Sequence, residues 1–392
     1  MMPNPLSDNW RSGRHQLLSF PAHGFRVVTA LLIDADRIVT GSDDRTILIH
    51  DISTGALRKQ LQCDGGVWCM QAHGDNTLVS GGTDRTVQVW DMELGICTHV
   101  LEGHTATVRG LVILTPVLNE STGVLQPDVP LIVSASRDST IRVWRLPVAG
   151  DDNSETATAA PTTTKADSPF LVHVLKDHTD AVRFIAGHGN TLVSGSYDTT
   201  VRIWDVTTGT ARFVCQGHKE KVYSVAYSHE LERAASGSMD SSVKIWCTRT
   251  GEQLYHLEGH TSLVGLLQVS TKYLVSASAD ATLRIWSLTG QNLATLTGHR
   301  AAITSFHHDP ARNRIVSGAD GGVKLWELHS ENEDGVAHGR FVRNFLEDVQ
   351  GVWRVTMDWR RMVCAVQRAG GATWLEVLDF GAETAEGADG VK

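Results

Sequence analysis

Two sets of residues in this sequence have side chains and spacings that could support chemistry. Histidine, aspartate and serine recur along most of the chain, and together these residue types form the catalytic triads of hydrolases. Arginine, by contrast, is concentrated with aromatic residues in one region, where guanidinium groups could bind a phosphate. The members of this second set are Arg85, Arg109, Arg137, Arg183, Trp68 and Tyr197. The function of each set depends on the elements that position it.

The aspartates of the first set recur at a constant distance from a ring. Seven times an aspartate stands six residues before an aromatic or imidazole side chain, and six of the seven rings are tryptophan. The pairs are Asp44/His50, Asp84/Trp90, Asp138/Trp144, Asp198/Trp204, Asp240/Trp246, Asp280/Trp286 and Asp320/Trp326. Successive pairs are about 40 residues apart, except where insertions at 115–130 and 147–169 lengthen two intervals. The chain is therefore an array of one small unit.

Each unit contains short β-rich runs. Segments 76–84 and 85–91 alternate apolar and polar residues and meet at a tight turn that contains the recurring aspartate. Histidine precedes such runs at His23, His104, His178, His218, His260 and His299, and Cys63 takes its place in the second unit. A unit of about 40 residues with Gly-His near its start and Trp-Asp near its end is similar to the WD40 repeat, a four-stranded blade of a β-propeller.

The length of the array predicts the number of blades. Residues 23–380, less the two insertions, correspond to about eight units. The eighth unit supplies only three strands, so we predict that a segment around 15–20 adds the fourth and closes the ring. The predicted fold is all-β, an eight-bladed WD40 β-propeller over residues 15–380 with insert loops at 115–130 and 147–169. Residues 1–14 are predicted to be a flexible N-terminus and residues 381–392 a disordered tail.

The repeat separates the two sets of residues. Because histidine, aspartate, serine and tryptophan recur in nearly every blade, we expect them to satisfy buried polar groups within the blades, and we predict that the chain is not an enzyme. Function is expected where the blades differ. In an antiparallel blade, the loop into the first strand and the turn between the second and third strands lie at the same end of the sheet. Side chains at these positions should therefore share one face of the propeller.

Three positions in each blade lie on this face. The first, five residues after the histidine or its equivalent, reads Val28, Trp68, Arg109, Arg183, Tyr223, Gly265, Thr304 and Trp353 from blade one to blade eight. The other two flank the recurring aspartate. Blades two to four thus combine the four arginines and two aromatic residues with the hydroxyl groups of Thr83 and Thr107, whereas blades six and seven carry only small residues.

Four arginines on one side of a face repel each other unless an anion binds among them. The chain has a formal net charge of −9, so this positive cluster is a local feature. A phosphate group carries about −1.5 to −2 charges, and its oxygens match the guanidinium fork. Trp68 and Tyr197 would border an apolar slot for a neighbouring proline or aliphatic side chain. The alternative is that each arginine pairs with a carboxylate of an adjacent blade.

These positions resemble the WD40 half of the F-box/WD-repeat substrate receptors of SCF ubiquitin ligases, both the fungal cell-division-control type and its animal tumour-suppressor relative. The similar segments are 65–68, 83–91, 97–109, 136–147, 193–205, 258–267 and 375–380. The family binds phosphorylated Thr/Ser-Pro degrons, and the resemblance implies roles for individual residues. The phosphate ligands would be Arg85, Arg109 and Arg137, extended by Arg183 and Tyr197. The slot for the degron proline would be lined by Trp68, Thr83 and Thr107. Secondary candidates for acidic or second-phosphate contacts are Lys221 and Arg26.

The resemblance implies phosphorylated proteins as partners, recognised for ubiquitin-dependent degradation. Residues 1–22 precede the first blade and are too few for a helical F-box, so the SCF adaptor is expected as a partner only if an F-box lies upstream. The alternative is a non-catalytic WD40 scaffold for the assembly of protein complexes, not coupled to ubiquitination. Either function suits a nuclear or cytoplasmic protein.

Composition argues against other classes of function. The acidic balance disfavours nucleic acid and membrane surfaces as partners, and no segment is long and apolar enough to span a bilayer. Six cysteines are scattered without the spacing of a metal site, which fits reduced thiols. We therefore expect no metal, no cofactor and no small-molecule substrate.

Overall fold

The computed structural model describes residues 5–119, 123–147, 162–164, 168–329, 338–347 and 349–381. Its main strands form eight antiparallel sheets, which we number as blades one to eight. The first strand of each blade contacts the first strand of the next, and the first strands of blades eight and one also meet. The blades therefore form a closed ring, and the prediction of an eight-bladed β-propeller is confirmed.

The helix and strands have the following bounds. Before blade one lie α1 (Pro5–Ser12) and β1 (Gln16–Pro21). Blade one contains β2 (Val28–Asp34), β3 (Arg37–Ser42), β4 (Thr46–Asp51) and β5 (Leu57–Gln62). Blade two contains β6 (Val67–His73), β7 (Thr77–Gly82), β8 (Val87–Asp91) and β9 (Ile96–Leu101). Blade three contains β10 (Val108–Leu114), β13 (Leu131–Ser136), β14 (Ile141–Arg145) and β16 (Leu171–Leu175). Its insertions contain β11 (Val117–Asn119) and β12 (Val124–Gln126), which form a separate hairpin, and β15 (Thr162–Thr164), which joins the sheet of blade two.

The remaining blades are more regular. Blade four contains β17 (Val182–His188), β18 (Thr191–Ser196), β19 (Val201–Asp205) and β20 (Thr210–Cys215). Blade five contains β21 (Val222–Ser228), β22 (Arg233–Ser238), β23 (Val243–Cys247) and β24 (Gln253–Leu257). Blade six contains β25 (Val264–Val269), β26 (Tyr273–Ser278), β27 (Leu283–Ser287) and β28 (Asn292–Leu296). Blade seven contains β29 (Ile303–Asp309), β30 (Arg314–Ala319), β31 (Gly322–His329) and β32 (His338–Phe345), and blade eight contains β33 (Gly351–Met357), β34 (Arg361–Gln367) and β35 (Thr373–Asp379).

The hydrophobic core lies between adjacent blades. The tryptophan that ends each repeat packs with apolar residues of the preceding blade: Trp144 joins Val79 and Val89 of blade two, and Trp204 joins Val133 of blade three. Both rings are essentially inaccessible to solvent. Truncating one of them to alanine would cost about 3–5 kcal/mol. The tryptophans of the repeat thus hold the ring of blades together.

The recurring polar residues form a buried network inside each regular blade. In blade three, His104 Nδ1 lies 2.9 Å from Asp138 Oδ2 and His104 Nε2 lies 2.9 Å from Ser134 Oγ, which also accepts from Trp144 Nε1 at 2.9 Å. One histidine tautomer satisfies all four groups, because Nδ1 can donate to the carboxylate while Nε2 accepts from the serine. The same network is present in blades four, five and six. These residues therefore connect strands within the blade, as their recurrence predicted.

The N-terminal segment closes the ring. Strand β1 pairs antiparallel with β35, from Gln16 opposite Asp379 to Pro21 opposite Trp374, and becomes the fourth strand of blade eight. Ser19 of β1 donates to the carboxylate of Glu376, which is fully buried and also pairs with Arg368. The predicted closure by a strand near residues 15–20 is confirmed.

Residues before β1 differ from the expectation of a flexible segment. Pro5–Ser12 forms α1, in which Trp10 is 1% exposed and stacks on Phe380 with ring centroids 3.8 Å apart. Asn9 Nδ2 donates to the carbonyl oxygen of Phe380 at 2.8 Å. The helix is ordered because Trp10 buries its ring against the end of blade eight, an interaction that is not visible in the local sequence.

Both insertions of blade three lie at the end of the propeller opposite to the predicted functional face. Residues 115–130 include the antiparallel hairpin of β11 and β12, and β15 pairs parallel with β9 of blade two. The rest of the predicted loop at 147–169 lies largely outside the described residues, as does nearly all of the predicted tail at 381–392. Within the described residues no helix has the length and apolar character needed to cross a bilayer.

Candidate phosphate-binding site

A β-bulge in the first strand of every blade directs one side chain toward the predicted face. Where the first strand pairs with the second, the register skips a single residue, which is left without a partner. The skipped residues are Thr29, Trp68, Arg109, Arg183, Tyr223, Gly265, Thr304 and Trp353. Bulges re-aim side chains in this way. The first of the three predicted positions is thus a bulge residue.

Blade one requires a correction. Counting five residues from His23 selected Val28, but Val28 is fully buried and the bulge residue is Thr29. The loop after His23 is one residue longer than the loop after His104, since β2 begins five residues after its histidine and β10 only four. Thr29 donates its hydroxyl to the carbonyl oxygens of Gly41 and Val67, so it joins blades one and two.

The turn after the second strand positions the residues that flank the aspartate. The residue after the aspartate is left-handed in seven blades, and in blade two this is Arg85 with a φ of 68°. The left-handed residue reverses the chain between β7 and β8, and Thr83 and Arg85 are exposed on either side of Asp84. Arg137 is likewise exposed in the turn between β13 and β14. These turns place Thr83, Arg85 and Arg137 at the same end of the blades as the bulge residues.

Arg109 and Trp68 are in direct contact. The guanidinium carbon of Arg109 lies 3.6 Å from the centre of the Trp68 ring, a cation–π stack that holds the guanidinium in a defined plane. One face of the indole is therefore covered by Arg109. The apolar slot predicted beside Trp68 is accordingly restricted to its remaining surface.

Arg183, Tyr197 and Tyr223 form a second group that continues from blade four into blade five. Arg183 lies 3.4 Å from the Tyr197 hydroxyl and 4.9 Å from the centre of the Tyr223 ring, and the two tyrosine rings are 5.1 Å apart. Lys221 approaches the other tyrosine, with its Nζ 4.7 Å from the centre of the Tyr197 ring. Tyr223 was present at a bulge position in the sequence but was not predicted to belong to the site.

Among the described residues, the positive charges of these arginines change the pKa values of neighbouring groups. Burial, together with the charges of Arg183 and Arg137, lowers the pKa of Arg109. The pKa of Tyr197 lies below its usual value even though burial acts to raise it, because Arg183 donates to the hydroxyl and adds positive charge. Arg137 and Arg183 therefore each lie close enough to Arg109 to repel its guanidinium group.

None of the four arginines forms an ion pair with a carboxylate of the described residues. Several other arginines of the described residues do form ion pairs with carboxylates. Arg58 pairs with Asp36 and Asp51, and Arg361 pairs with Asp379. The described residues therefore do not show the alternative arrangement, in which each of the four arginines pairs with a carboxylate of a neighbouring blade. The cluster is a local excess of positive charge in a chain whose formal net charge is −9.

The remaining predicted residues have distinct positions. The Thr83 hydroxyl accepts from the Gly66 amide at 2.8 Å, and the Thr107 carbonyl accepts from the Arg137 amide at 3.0 Å. Both threonines thus help to connect the loop and the turn of their own blade. Arg26 is exposed in the loop before blade one, and its carbonyl oxygen accepts from the Thr373 hydroxyl of blade eight. The structure does not bring Arg26 into contact with the cluster.

Arg354 is a cationic residue near the cluster that the sequence did not reveal. It follows the bulge residue Trp353 in β33, and its Nε donates to the carbonyl oxygen of Thr29 at 2.8 Å across the junction of blades eight and one. Burial and the charge of Arg183 lower the pKa of Arg354 to about 10. Blade eight lacks the histidine from which positions are counted in most other blades. Only the place of Arg354 directly after Trp353 could therefore have indicated this residue.

The comparisons with known proteins agree with this architecture. The chain matches the family described as WD domain, G-beta repeat, and the matched residues are 14–51, 55–91, 95–145, 170–205, 209–247, 251–287 and 290–327. The protein belongs to this family of WD40 repeat proteins. The computationally designed Ika8 protein has a solved structure that matches with a TM-score of 0.73 at 28% identity, covering 92% of this chain and 98% of the designed chain.

Three fungal relatives are similar over the whole propeller. Cell division control protein 4 of Candida albicans is 45% identical over 375 residues, which cover 93% of this chain and 53% of that protein. The WD repeat-containing protein pop2 of Schizosaccharomyces pombe is 43% identical over 373 residues, with coverage of 93% and 51%. Cell division control protein 4 of Saccharomyces cerevisiae is 36% identical over 402 residues, with coverage of 95% and 49%. The chain spans about half the length of these relatives.

Proposed function

We propose that this propeller is the substrate-recognition module of an SCF-type ubiquitin ligase and that it binds phosphorylated Thr/Ser-Pro segments of its substrates. The observation that carries the proposal is the set of arginines in blades two to four that have no carboxylate partner among the described residues. Their mutual repulsion decreases when a dianionic group binds among them. A phosphate also supplies the acceptor oxygens that the guanidinium forks lack.

The geometry favours a phosphate next to an apolar residue. Arg109 is held in a plane by its stack on Trp68, so binding an oxyanion costs it little conformational entropy. The uncovered surface of the indole is adjacent to that guanidinium and suits a proline ring. Thr83 and Arg85 lie on the turn of blade two, at the same end of the blade as Trp68. A phosphorylated residue followed by proline therefore matches the chemistry of the cluster.

The relatives support the cellular role that we propose. Two of them are named for the control of cell division, which fits a receptor that binds its substrates only after their phosphorylation. Delivery of such substrates for ubiquitination requires contact with the SCF adaptor through an F-box, and we propose that this contact is made by a segment outside the present sequence. Such a receptor would act in the nucleus or the cytoplasm.

A peptide titration tests the proposed recognition. A Thr-Pro peptide labelled with a fluorophore is titrated with the protein in its phosphorylated and unphosphorylated forms, and we expect only the phosphorylated form to bind. Replacing Arg109 by alanine should weaken binding by about 2–5 kcal/mol, because a charged hydrogen-bonded pair is lost. Replacing the exposed Arg137 by alanine should also weaken binding, but by less. Binding of the wild-type protein should also weaken as ionic strength rises.

A matched control comes from the opposite end of the propeller. Arg249 lies between β23 and β24 with 75% of its side chain exposed, so Arg249→Ala removes one positive charge without touching the cluster. We expect this variant to bind the phosphopeptide as the wild type does. Equal binding of the two peptide forms, or unchanged binding after both Arg109 and Arg137 are replaced, would refute the proposal.

One observation favours the second candidate, a scaffold that uses the opposite end of the propeller. The hairpin of β11 and β12 exposes three apolar side chains, with Leu118 58%, Val124 56% and Leu125 48% exposed. A scaffold of this kind would keep its partners in pull-down experiments when Arg109 and Arg137 are replaced. It would lose them when Leu118 and Leu125 are changed to serine. The two patterns of loss distinguish the two functions.

A further inference from the structure

Blade two departs from its neighbours beside the proposed site. In blades three to six a histidine binds the recurring aspartate, and a serine at the end of the second strand donates to a carbonyl of the loop into the blade. In blade three that serine is Ser136, with its Oγ 2.9 Å from Ala106 O. Blade two has Cys63 in place of the histidine and Gly82 in place of the serine. Both side-chain links between loop and turn are replaced in the blade that carries Trp68.

The absence of the histidine in blade two changes the hydrogen bonding and the pKa of the recurring aspartate, Asp84. Asp84 accepts a hydrogen bond from the Thr86 amide at 3.2 Å. Burial raises the pKa of Asp84 above its usual value. In blade three burial acts in the same direction, but the hydrogen bond and charge of His104 and the hydrogen bonds from Thr140 and Thr105 together outweigh it, so the pKa of Asp138 lies well below its usual range. The turn between β7 and β8 is therefore not held by the network that holds the turns of blades three to six.

A hydrogen bond to the Thr83 side chain links this turn to the loop, in addition to the backbone bond that blades three to six also have. The Gly66 amide donates to the Thr83 hydroxyl at 2.8 Å, and the Thr83 amide donates to the Gly66 carbonyl at 2.9 Å. A Cβ at Gly82 would lie 2.5 Å from the Gly66 oxygen, and a Cβ at Gly65 would lie 2.4 Å from the Asp84 nitrogen. Neither Gly65 nor Gly82 has a left-handed φ, so glycine is required at these two positions for close approach and not for backbone conformation.

The close approach determines where the site residues stand. A serine at position 82, as in blades three to six, would forbid the position that the Gly66 carbonyl occupies. Trp68 follows Gly66 by two residues, Thr83 follows Gly82 directly, and Arg109 rests on the Trp68 ring. A shift of the loop away from the turn therefore changes the separation of Trp68 from Thr83 and carries Arg109 with it.

We infer that Gly65 and Gly82 are positioning residues of the peptide-binding site, an inference that rests on the proposed function. They allow a close contact between the loop and the turn where the histidine and serine links of a regular blade are absent. This contact sets the relative positions of Trp68 and Thr83. Blade two therefore lacks the histidine and the serine of the regular repeat at the place where the proposed peptide slot lies.

The substitution Gly82→Ser tests the inference because it restores the residue that blades three to six carry. Two quantities are measured: the Kd for the phosphorylated Thr-Pro peptide and the indole N–H resonance of Trp68, assigned with Trp68→Phe. We expect the resonance to shift and the Kd to rise about tenfold or more, since binding sites tolerate errors of only about half an ångström. Gly82→Ala adds the same Cβ without a hydroxyl and should act alike.

The matched control is Ser278→Gly in blade six. Ser278 donates to the Ser262 carbonyl at 3.1 Å, so this variant should melt at a lower temperature. It should leave both the Kd and the Trp68 resonance unchanged. If Gly82→Ser does not fold, Thr83→Val removes the acceptor of the Gly66 amide without adding volume, and the Trp68 resonance should then shift as well.

The outcomes separate this inference from the proposed function. An unshifted Trp68 resonance and an unchanged Kd in a folded Gly82 variant would overturn the positioning role. Failure of the wild type to bind any phosphopeptide would count against the proposed function alone. In that case a shift of the Trp68 resonance in Gly82→Ser, absent in Ser278→Gly, would still support the positioning role, and its absence would refute it.

Discussion

Replacing Arg109 by lysine separates the shape of the guanidinium group from its charge. Arg109 stacks on Trp68 at 3.6 Å, whereas Arg137 is exposed in its turn and stacks on no ring among the described residues. Lysine keeps the positive charge at either position. It loses the planar fork, and at position 109 it also loses the orientation that the indole imposes. The same substitution should therefore have different effects at the two positions.

The magnitude follows from the contacts that are lost. At Arg109 one of two hydrogen bonds to the phosphate disappears, and a bond to a charged group contributes about 1.5–3 kcal/mol, which is roughly a tenfold to hundredfold increase in Kd. At Arg137 the lysine remains an exposed point charge. The expected loss there is about 0.2–1 kcal/mol, or at most roughly fivefold. Stability should change little in either variant, because the charge is kept and a cation–π contact at a partly exposed site contributes only about 0.5–1 kcal/mol.

Isothermal titration calorimetry with the phosphorylated Thr-Pro peptide measures both variants under one set of conditions. Denaturant unfolding of each variant shows whether the fold is intact. Equal Kd values for Arg109→Lys and the wild type would contradict the argument, since a bidentate and stacked arginine is not replaceable by a point charge. A larger effect at Arg137 than at Arg109 would show that the stack on Trp68 does not orient the phosphate ligand.

Three further predictions concern stability and the turn of blade two. Arg368→Ala should destabilise the protein by about 3–5 kcal/mol in denaturant unfolding, because it leaves the fully buried Glu376 carboxylate without its cation; an unfolding free energy within about 1 kcal/mol of wild type would contradict this. Burial lowers the pKa of His308 to about 4, so the neutral ring stabilises the fold at neutral pH and this contribution declines as the pH falls from about 6.5 toward 4. His308→Leu should therefore lose stability less steeply than wild type between pH 7 and pH 5, and parallel curves would refute this. Arg85→Gly should weaken phosphopeptide binding while leaving stability unchanged or raised by about 1 kcal/mol, because the residue has a φ of 68° and blade seven has Gly321 at the same position; a lower melting temperature would contradict it.

The repeat made much of the architecture predictable. A fixed distance between aspartate and tryptophan reports a two-stranded hairpin whose turn and buried ring are both local features, so blade number and strand order followed from counting. The same recurrence identified His104 and Asp138 as structural, because a set of residues present in nearly every blade satisfies the same buried groups in each. The position predicted for blade one was wrong because loop length varies between blades. The loop after His23 is one residue longer, so Thr29 and not Val28 is the bulge residue.

The sequence by itself determined which residues can share one face of the propeller, since the end of a sheet on which a turn lies depends only on strand order. Only the tertiary structure decided how those residues meet. It placed Arg109 on Trp68, brought Arg183 against two tyrosines and Arg354 near Arg183, and ordered α1 through the contact of Trp10 with Phe380. Apart from the contact of Arg183 with Tyr197, which lies within blade four, these interactions join residues of different blades or opposite ends of the chain. They depend on the closure of the ring and on packing distances of a few ångströms, which no periodicity in the sequence encodes.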